Sequence, residues 1–266
     1  MVRMMKREDI IQAGKMHYMA TIDKKLITPP SYLYPDINYE DAYAIASVMV
    51  DEYVKNGRHP SGKKVGLTSN VMRKLAGIEE PDYGIIFWDD CYENDSVIQF
   101  EGVFCQPAIE AELAFKLRED LDYDKVTEEM VIQATEYVVP CLEIVDIRQH
   151  NDRPRTIFDT VADNAAFGGY VLGDTPIDPR ETDLGLISFV FERNQQQLET
   201  SCGAAILDSP AKSVAWLAEK FSSLGNPLKK GEIILAGSAV KAVNVSKGDY
   251  FCCKYGRYGS VGVKFV

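Results

Sequence analysis

The 266-residue sequence predicts an α+β protein, with a rolled, mostly β core over residues 61–266 and a small helical module over residues 1–60. Two observations carry this. Apolar residues recur at helical spacing up to about residue 55, and from Ser61 onward short β-branched runs alternate with glycine and proline. Strands this short and numerous favour a closed or rolled sheet over an open parallel one.

Ile10, Ile11, Met16 and Met19 give the first helix its period, and Pro29, Pro30 and Pro35 interrupt the chain after it. A second helix spans 38–55, with Tyr43, Ile45, Ala46, Met49, Val50 and Tyr53 on its apolar face and Asn56-Gly57 as its stop. Strands are expected at 64–68, 84–87, 97–100, 108–117, 138–147, 169–172, 186–193 and 196–200. One helix, 210–224, separates them from strands at 233–236, 243–245, 250–255 and 259–265.

The net charge of −11 and pI near 4.9 repel a phosphate backbone, so nucleic acid is excluded as a partner. An acidic protein acting on an acidic substrate must bring its own local positive charge, from a metal ion or a few lysines. Six cysteines, without a CxxC or Cys/His pattern, read as reduced core residues rather than a zinc site. Residues 1–10 carry no apolar leader pattern and no run approaches eighteen apolar residues, so a cytoplasmic protein without a membrane partner is expected.

Within 108–115, Glu110 and Glu112 sit two apart in an otherwise apolar run, which on a strand projects both from one face. Two such carboxylates repel each other unless a cation joins them. Glu143, in the apolar run 138–145, offers a third ligand, and three carboxylates suit a hard cation such as Mg²⁺ or Mn²⁺. The alternative is a solvated strand edge, where alternating charge is common.

Lys63 and Lys64 lie between Gly62 and Gly66, where backbone can approach a ligand, and Lys64 alternates with Gly66 on one face. Asp82 lies in a turn leading into a strand. Asp159, Asp163 and Asn164, among small residues, suit either a loop beside a site or a helix start. Gly237-Ser238 ends an apolar strand and either presents donors to a carboxylate or turns the chain. His17, His59 and His150 read as surface or interface residues, and the polar stretch 148–155 as a lid.

Taken in order, KVGLTS, EEPDYG, AIEAELAF, CLEIVD, DTVADNAA and IILAGS resemble the fumarylacetoacetate hydrolase superfamily over about residues 40–266. They resemble most closely its 2-oxo-4-pentenoate and 2-oxo-hept-4-ene-1,7-dioate hydratases of aromatic meta-cleavage pathways. The resemblance implies a rolled β core, Mg²⁺ held by Glu110, Glu112 and Glu143, and Lys64, rather than Lys63, with Asp82 as proton-transfer residues. It also implies substrate-carboxylate contacts at Gly237 and Ser238 and a basic position at Lys241 that meets a distal carboxylate. The substrate implied is a small 2-oxo acid, and the assembly a homo-oligomer, with a partner decarboxylase as a possible associate.

The superfamily's hydrolases use a histidine and glutamate pair, and no histidine stands in that position here. The related 4-oxalocrotonate decarboxylases share the three glutamates and the lysine motif and form the alternative. A non-catalytic partner subunit is a further alternative, against which the intact ligand set argues.

Overall fold

A computed structural model of the protein describes residues 4–69, 73, 78–152 and 154–266. Three helices lead: α1 (Arg7–Asp23), the single turn α2 (Pro30–Leu33) and α3 (Tyr39–Lys55). Helix α1 ends where Lys24 turns left-handed and its N–H bonds the Ala20 carbonyl. Asn38 caps α3 by accepting the Asp41 N–H, and α3 buries Ala42, Ile45, Ala46, Met49 and Tyr53 on the face that its spacing predicted.

The sheet that carries the chemistry is mixed. Its order is β2 (Asp82–Phe87), β1 (Pro60–Gly66), β10 (Ile233–Leu235), β5 (Pro107–Leu117), β6 (Thr135–Asp146), β7 (Phe167–Leu172) and β3 (Cys91–Glu93), with β11 (Val243–Asn244) on β5. A second sheet runs β4 (Ser96–Ile98), β13 (Ser260–Phe265), β12 (Tyr250–Lys254), β8 (Ser188–Arg193) and β9 (Gln196–Cys202). Helices α4 (Glu128–Ala134) and α6 (Pro210–Ser223) flank the strands, and α5 (Ile157–Ala162) precedes β7. Among the described residues no helix is long and apolar enough to cross a membrane.

Strands β5 and β6 are the spine, antiparallel and in register with Glu110 opposite Glu143. One face presents Ile109, Ala111, Leu113 and Phe115 with Val138, Leu142 and Ile144 to a core shared with Phe189, Phe191, Phe251, Phe265 and α6. The other face presents Ala114, Val139 and Cys141 to a smaller core containing Met49 and Tyr53 of α3. The helical segment thus covers the same sheet face from which Glu110, Glu112 and Glu143 project.

The sequence reading differs from the structure at several points. The strand expected at 64–68 begins at Pro60 and stops at Gly66, because Leu67 takes a positive φ of 55° that breaks the ladder. Helices α4 and α5 and strand β3 have only seven, six and three residues, too short to show a period. Cys202 lies exposed on the edge strand β9, so it is not a core cysteine, although all six are free.

His17 is buried rather than superficial: Ala13 O lies 2.9 Å from its Nδ1 and Gln149 Nε2 lies 2.9 Å from its Nε2. Burial lowers its pKa, and with the proton on Nδ1 its Nε2 accepts from the amide. Gln149 in turn donates to Asp159 O at 2.8 Å, tying α1 to the segment before α5. The stretch 148–155 therefore opens on two buried anchors, Arg148 and Gln149, while His150, Asn151 and Asp152 are exposed and residue 153 lies outside the described residues.

Arg148 and Asp163 form a buried ion pair, with Nη1 2.9 Å from Oδ1 and the Arg148 N–H 3.0 Å from Oδ2. The guanidinium also donates to the carbonyls of Asp146 and Phe167, joining the end of β6 to the start of β7. Asp163→Ala leaves that guanidinium uncompensated, and urea unfolding should show about 3–5 kcal/mol less stability; a loss below about 1 kcal/mol would mean that water replaces the partner.

Candidate active site

Period-two alternation sends Lys63 and Lys64 to opposite faces of β1. Lys63 pairs with Glu232 at 2.7 Å and lies 4.9 Å from the Phe221 ring centroid, away from the carboxylates. Lys64 turns toward them: its Nζ is 3.1 Å from Ala165 O and 3.2 Å from Glu143 Oε1. Register then places Asp82 opposite Gly66 and Gly84 opposite Lys64.

Both glycines are required by close approach. A Cβ on Gly66 would lie 2.0 Å from Asp82 Oδ1 and 3.2 Å from Lys64 Nζ, and one on Gly84 would lie 2.6 Å from Asn164 O. Asn164, Ala165 and Ala166 all adopt left-handed φ angles of 53°, 51° and 54°. Such residues cost about 1–2 kcal/mol each and persist only where surroundings fix them. Here the Asn164 side chain accepts from Ile85 N–H and donates to Ile85 O, both at 2.8 Å, which aims Ala165 O at Lys64.

Glu110, Glu112 and Glu143 each bring a carboxylate oxygen within 4.8 Å of the others. Glu112 and Glu143 are fully buried. Glu112 Oε2 accepts the Gly237 N–H at 2.8 Å, but Glu112 Oε1, both Glu143 oxygens and Asp82 Oδ1 are buried without a hydrogen bond. The Lys64–Glu143 contact is close enough to pair but lies outside hydrogen-bond geometry. Buried acceptors lacking donors on Glu112 and Glu143, with one oxygen of each converging with one of Glu110, match what a hard divalent cation needs from protein oxygens.

The electrostatics agree. Burial, then Glu143, push the Glu110 carboxyl up to about 7, and burial raises Glu112, Glu143 and Asp82 above the usual carboxylate range. Burial alone would lower the Lys64 ammonium, but Glu143, Asp82, Glu110 and Glu112 outweigh it and hold the proton on.

Gly237 and Ser238 are engaged within the protein. The Gly237 N–H is spent on Glu112, and Ser238 Oγ donates to Val240 O at 2.7 Å. Gly237 has φ 98°, and a Cβ there would lie 2.3 Å from Thr68 Cγ2, so only glycine delivers this N–H. Lys241 is exposed, and its backbone N–H donates to Glu199 at 3.1 Å.

Two cavities meet at Gly66, Leu67 and Glu110. The inner one, about 140 Å³, is lined by Lys64, Asp82, Arg155 and Thr160. The outer one, about 470 Å³, is lined by Thr68, Ala205, Ser238, Val240, Glu199 and Lys241. Arg155 and Thr160 were not recognised as site residues from sequence. Their one signal is position, a basic residue and a hydroxyl flanking the start of the DTVADNAA stretch.

No family model matches the chain. It is 42% identical over 254 residues to a 2-keto-4-pentenoate hydratase of Paraburkholderia xenovorans, covering 96% of this chain and 94% of that one. It is 43% identical over 238 residues to the 2-oxo-hept-4-ene-1,7-dioate hydratase of Escherichia coli, covering 88% and 89%. Among solved structures, a 4-oxalocrotonate decarboxylase of Pseudomonas putida, complexed with magnesium and adipate, superposes with a TM-score of 0.94. Its identity is 28%, over 99% of this chain and 100% of that one.

The mixed sheet whose longest strands converge three glutamates beside a buried lysine has the α+β fold that the sequence predicted, a fold it shares with fumarylpyruvate and fumarylacetoacetate hydrolases. Within it, the chain belongs to the 2-keto-4-pentenoate hydratase family.

The Glu110 shift predicts a measurable cost of the carboxylate cluster. With divalent ions chelated, the folded chain holds the Glu110 proton up to about pH 7, whereas the unfolded chain releases it near 4.5. Stability therefore falls as pH rises across that window. Glu110→Gln should flatten the fall and raise the thermal midpoint at pH 8 in chelator; an unchanged pH profile would show that Glu110 ionises freely.

Proposed function

We propose that this protein is a divalent-metal-dependent hydro-lyase that adds water to a 2-hydroxy-2,4-dienoate, yielding a 4-hydroxy-2-oxo acid in the catabolism of aromatic compounds. The observation that carries this is the set of buried carboxylate oxygens without donors on Glu112 and Glu143, converging with Glu110 next to Lys64. The hydratases at 42–43% identity supply the substrate class.

Glu110, Glu112 and Glu143 hold the cation, Mg²⁺ or Mn²⁺, which when bound supplies Lewis-acid stabilisation for negative charge on the substrate's C2 oxygen. Gly237 orients Glu112 through its N–H. Asp82 Oδ1, buried without a donor, accepts the proton of the C2 hydroxyl. Lys64 Nζ gives a proton to C5, so the double bond moves to C3–C4 in conjugation with the new C2 ketone. Water oxygen then bonds to C4, its proton returning to Lys64, while Asp82 returns its proton to C3. One water is added and both residues end as they began.

Lys241 lines the outer cavity, which supports giving it the distal carboxylate of a longer dicarboxylic substrate. Ser238 lines the same cavity and shapes its wall. The reading includes a homo-oligomer in the cytoplasm, able to associate with a partner decarboxylase; a monomer by light scattering at micromolar concentration would overturn the oligomer.

Mass-spectrometric product analysis with 2-hydroxypenta-2,4-dienoate and with 4-oxalocrotonate decides the reaction. Gain of water from the dienoate, abolished by chelation and restored by Mg²⁺ or Mn²⁺, supports the hydratase, whereas loss of CO₂ from oxalocrotonate alone would replace it with a decarboxylase. Lys64→Ala and Asp82→Asn should each lower kcat about 10²- to 10⁴-fold while the thermal transition is retained. Wild-type turnover in either variant would remove that residue from the proton path.

A further inference from the structure

The Gly237 N–H and the Ser238 hydroxyl, two expected partners of the substrate's anionic head, are spent within the protein on Glu112 and Val240. Another cation is in place. Arg155 lines the inner cavity with Lys64, Asp82 and Glu110, is half-buried, and among the described residues makes no hydrogen bond or ion pair. Lys64, the other basic residue of that lining, is already held against Glu143 and Ala165.

We propose that Arg155 is the substrate-anchoring residue, taking the C1 carboxylate of the 2-oxo acid in a forked pair of charge-assisted hydrogen bonds in the inner cavity. This rests on the reading of the site as one for 2-oxo acids. It also fixes the direction in which the substrate lies.

Charge distribution carries the orientation. Four acids, Glu110, Glu112, Glu143 and Asp82, surround Lys64, and a divalent cation with that lysine still leaves the cluster one negative charge in excess. A substrate carboxylate arriving there adds a second, and Arg155 removes one of the two. The outer cavity offers the opposite environment. Leu67, Ala205, Ala239 and Val240 give it apolar walls, and Glu199 faces it as an acid. A hydrocarbon tail gains by entering such walls, and a C1 carboxylate placed there would find the opposed charges of Glu199 and Lys241 at the rim and lie away from Arg155.

With the head at Arg155, the carbon chain crosses Gly66, the one position shared by both cavities that carries no side chain, with Lys64 Nζ and Asp82 Oδ1 beside it. The tail then emerges toward Lys241. Arginine suits this role better than lysine because its planar fork matches a carboxylate bidentately. Pro154 immediately before it restricts one side of the short segment that ends where Asp159 accepts the Thr156 N–H at 2.7 Å and starts α5.

The test is binding of oxalate, a carboxylate-bearing mimic of the 2-oxo acid head, by titration calorimetry in Mg²⁺, with Arg155→Ala and Arg155→Lys beside wild type. Arg155→Ala should weaken oxalate, and raise KM for both 2-hydroxypenta-2,4-dienoate and 2-hydroxyhepta-2,4-diene-1,7-dioate, by about 10- to 100-fold, as loss of charge-assisted hydrogen bonds requires. Arg155→Lys should recover part of the loss, and the thermal stabilisation by Mg²⁺ alone should match wild type in both variants. Oxalate affinity equal to wild type in Arg155→Ala, or no oxalate binding by wild type, overturns the proposal. A loss confined to the dioate overturns the orientation, because Arg155 would then read the distal carboxylate. Failure of the hydratase reading shows separately, as weakened oxalate binding in Arg155→Ala beside a wild type that adds no water.

Discussion

Four carboxylates around one ammonium group, three of them buried and Glu110 partly so, are the constraint on which the rest of this structure depends. Glu110 and Glu143 face each other directly across β5 and β6, and Glu112 follows two positions along the same face. Isolated, such a cluster resists folding, since each acid is removed from water and repelled by its neighbours. The fold brings it together because the opposite face of the same strands buries an uninterrupted apolar row against the second sheet and α6. Hydrophobic burial on one side of the spine thus holds charge repulsion in place on the other, and that repulsion is what gives the site affinity for a cation.

The site is closed by elements whose local conformations are unfavourable on their own. Three consecutive left-handed residues, Asn164 to Ala166, form the turn that presents a carbonyl to Lys64. The turn is clamped from both ends: Asn164 is bonded to the backbone of β2, and Asp163 is locked in the buried pair with Arg148. Arg148 also ties the end of β6 to the start of β7, so the strand that delivers Glu143 and the turn that delivers Ala165 share one anchor. Any slip in this region moves the lysine and its partner glutamate together.

The sheet face of the site was legible in the sequence because side chains two apart on a strand share a face, which put Glu110 with Glu112, whereas Lys64 was told from Lys63 by the resemblance of motifs. The rolled β core was legible from the density of short β-branched runs. Cross-strand register was not: Glu143 was offered as a third ligand by its apolar run, but nothing local says that it stands opposite Glu110, and the ordered resemblance of motifs strengthened the link. His17 read as superficial because its helix has a weak apolar stripe, and its burial comes from a segment 132 residues away. Gly237 was read as a ligand donor, yet its N–H is aimed at Glu112 by a left-handed turn wedged against Thr68. Arg155 carried no periodic signal, since a loop residue acquires its surroundings only when the loop is placed.

An acidic protein that acts on an anion faces a problem its net charge of −11 makes plain. The long-range field repels the substrate, so attraction must be local and shielded from solvent. Several surface lysines are paired with acids, as in Lys220–Glu80, Lys229–Asp120 and Lys254–Glu192, where salt bridges of this kind contribute little. The cations inside are arranged differently. Lys63 and Arg148 are neutralised structurally, Lys64 is shared among four acids, and the inner cavity keeps one guanidinium unpaired. In a site of reduced dielectric, a single uncompensated charge outweighs several paired ones on the surface. On the proposed reading, selectivity for an anion in this acidic chain resides in which half-buried cation lacks a partner among the described residues, a property of arrangement that neither composition nor total charge reveals.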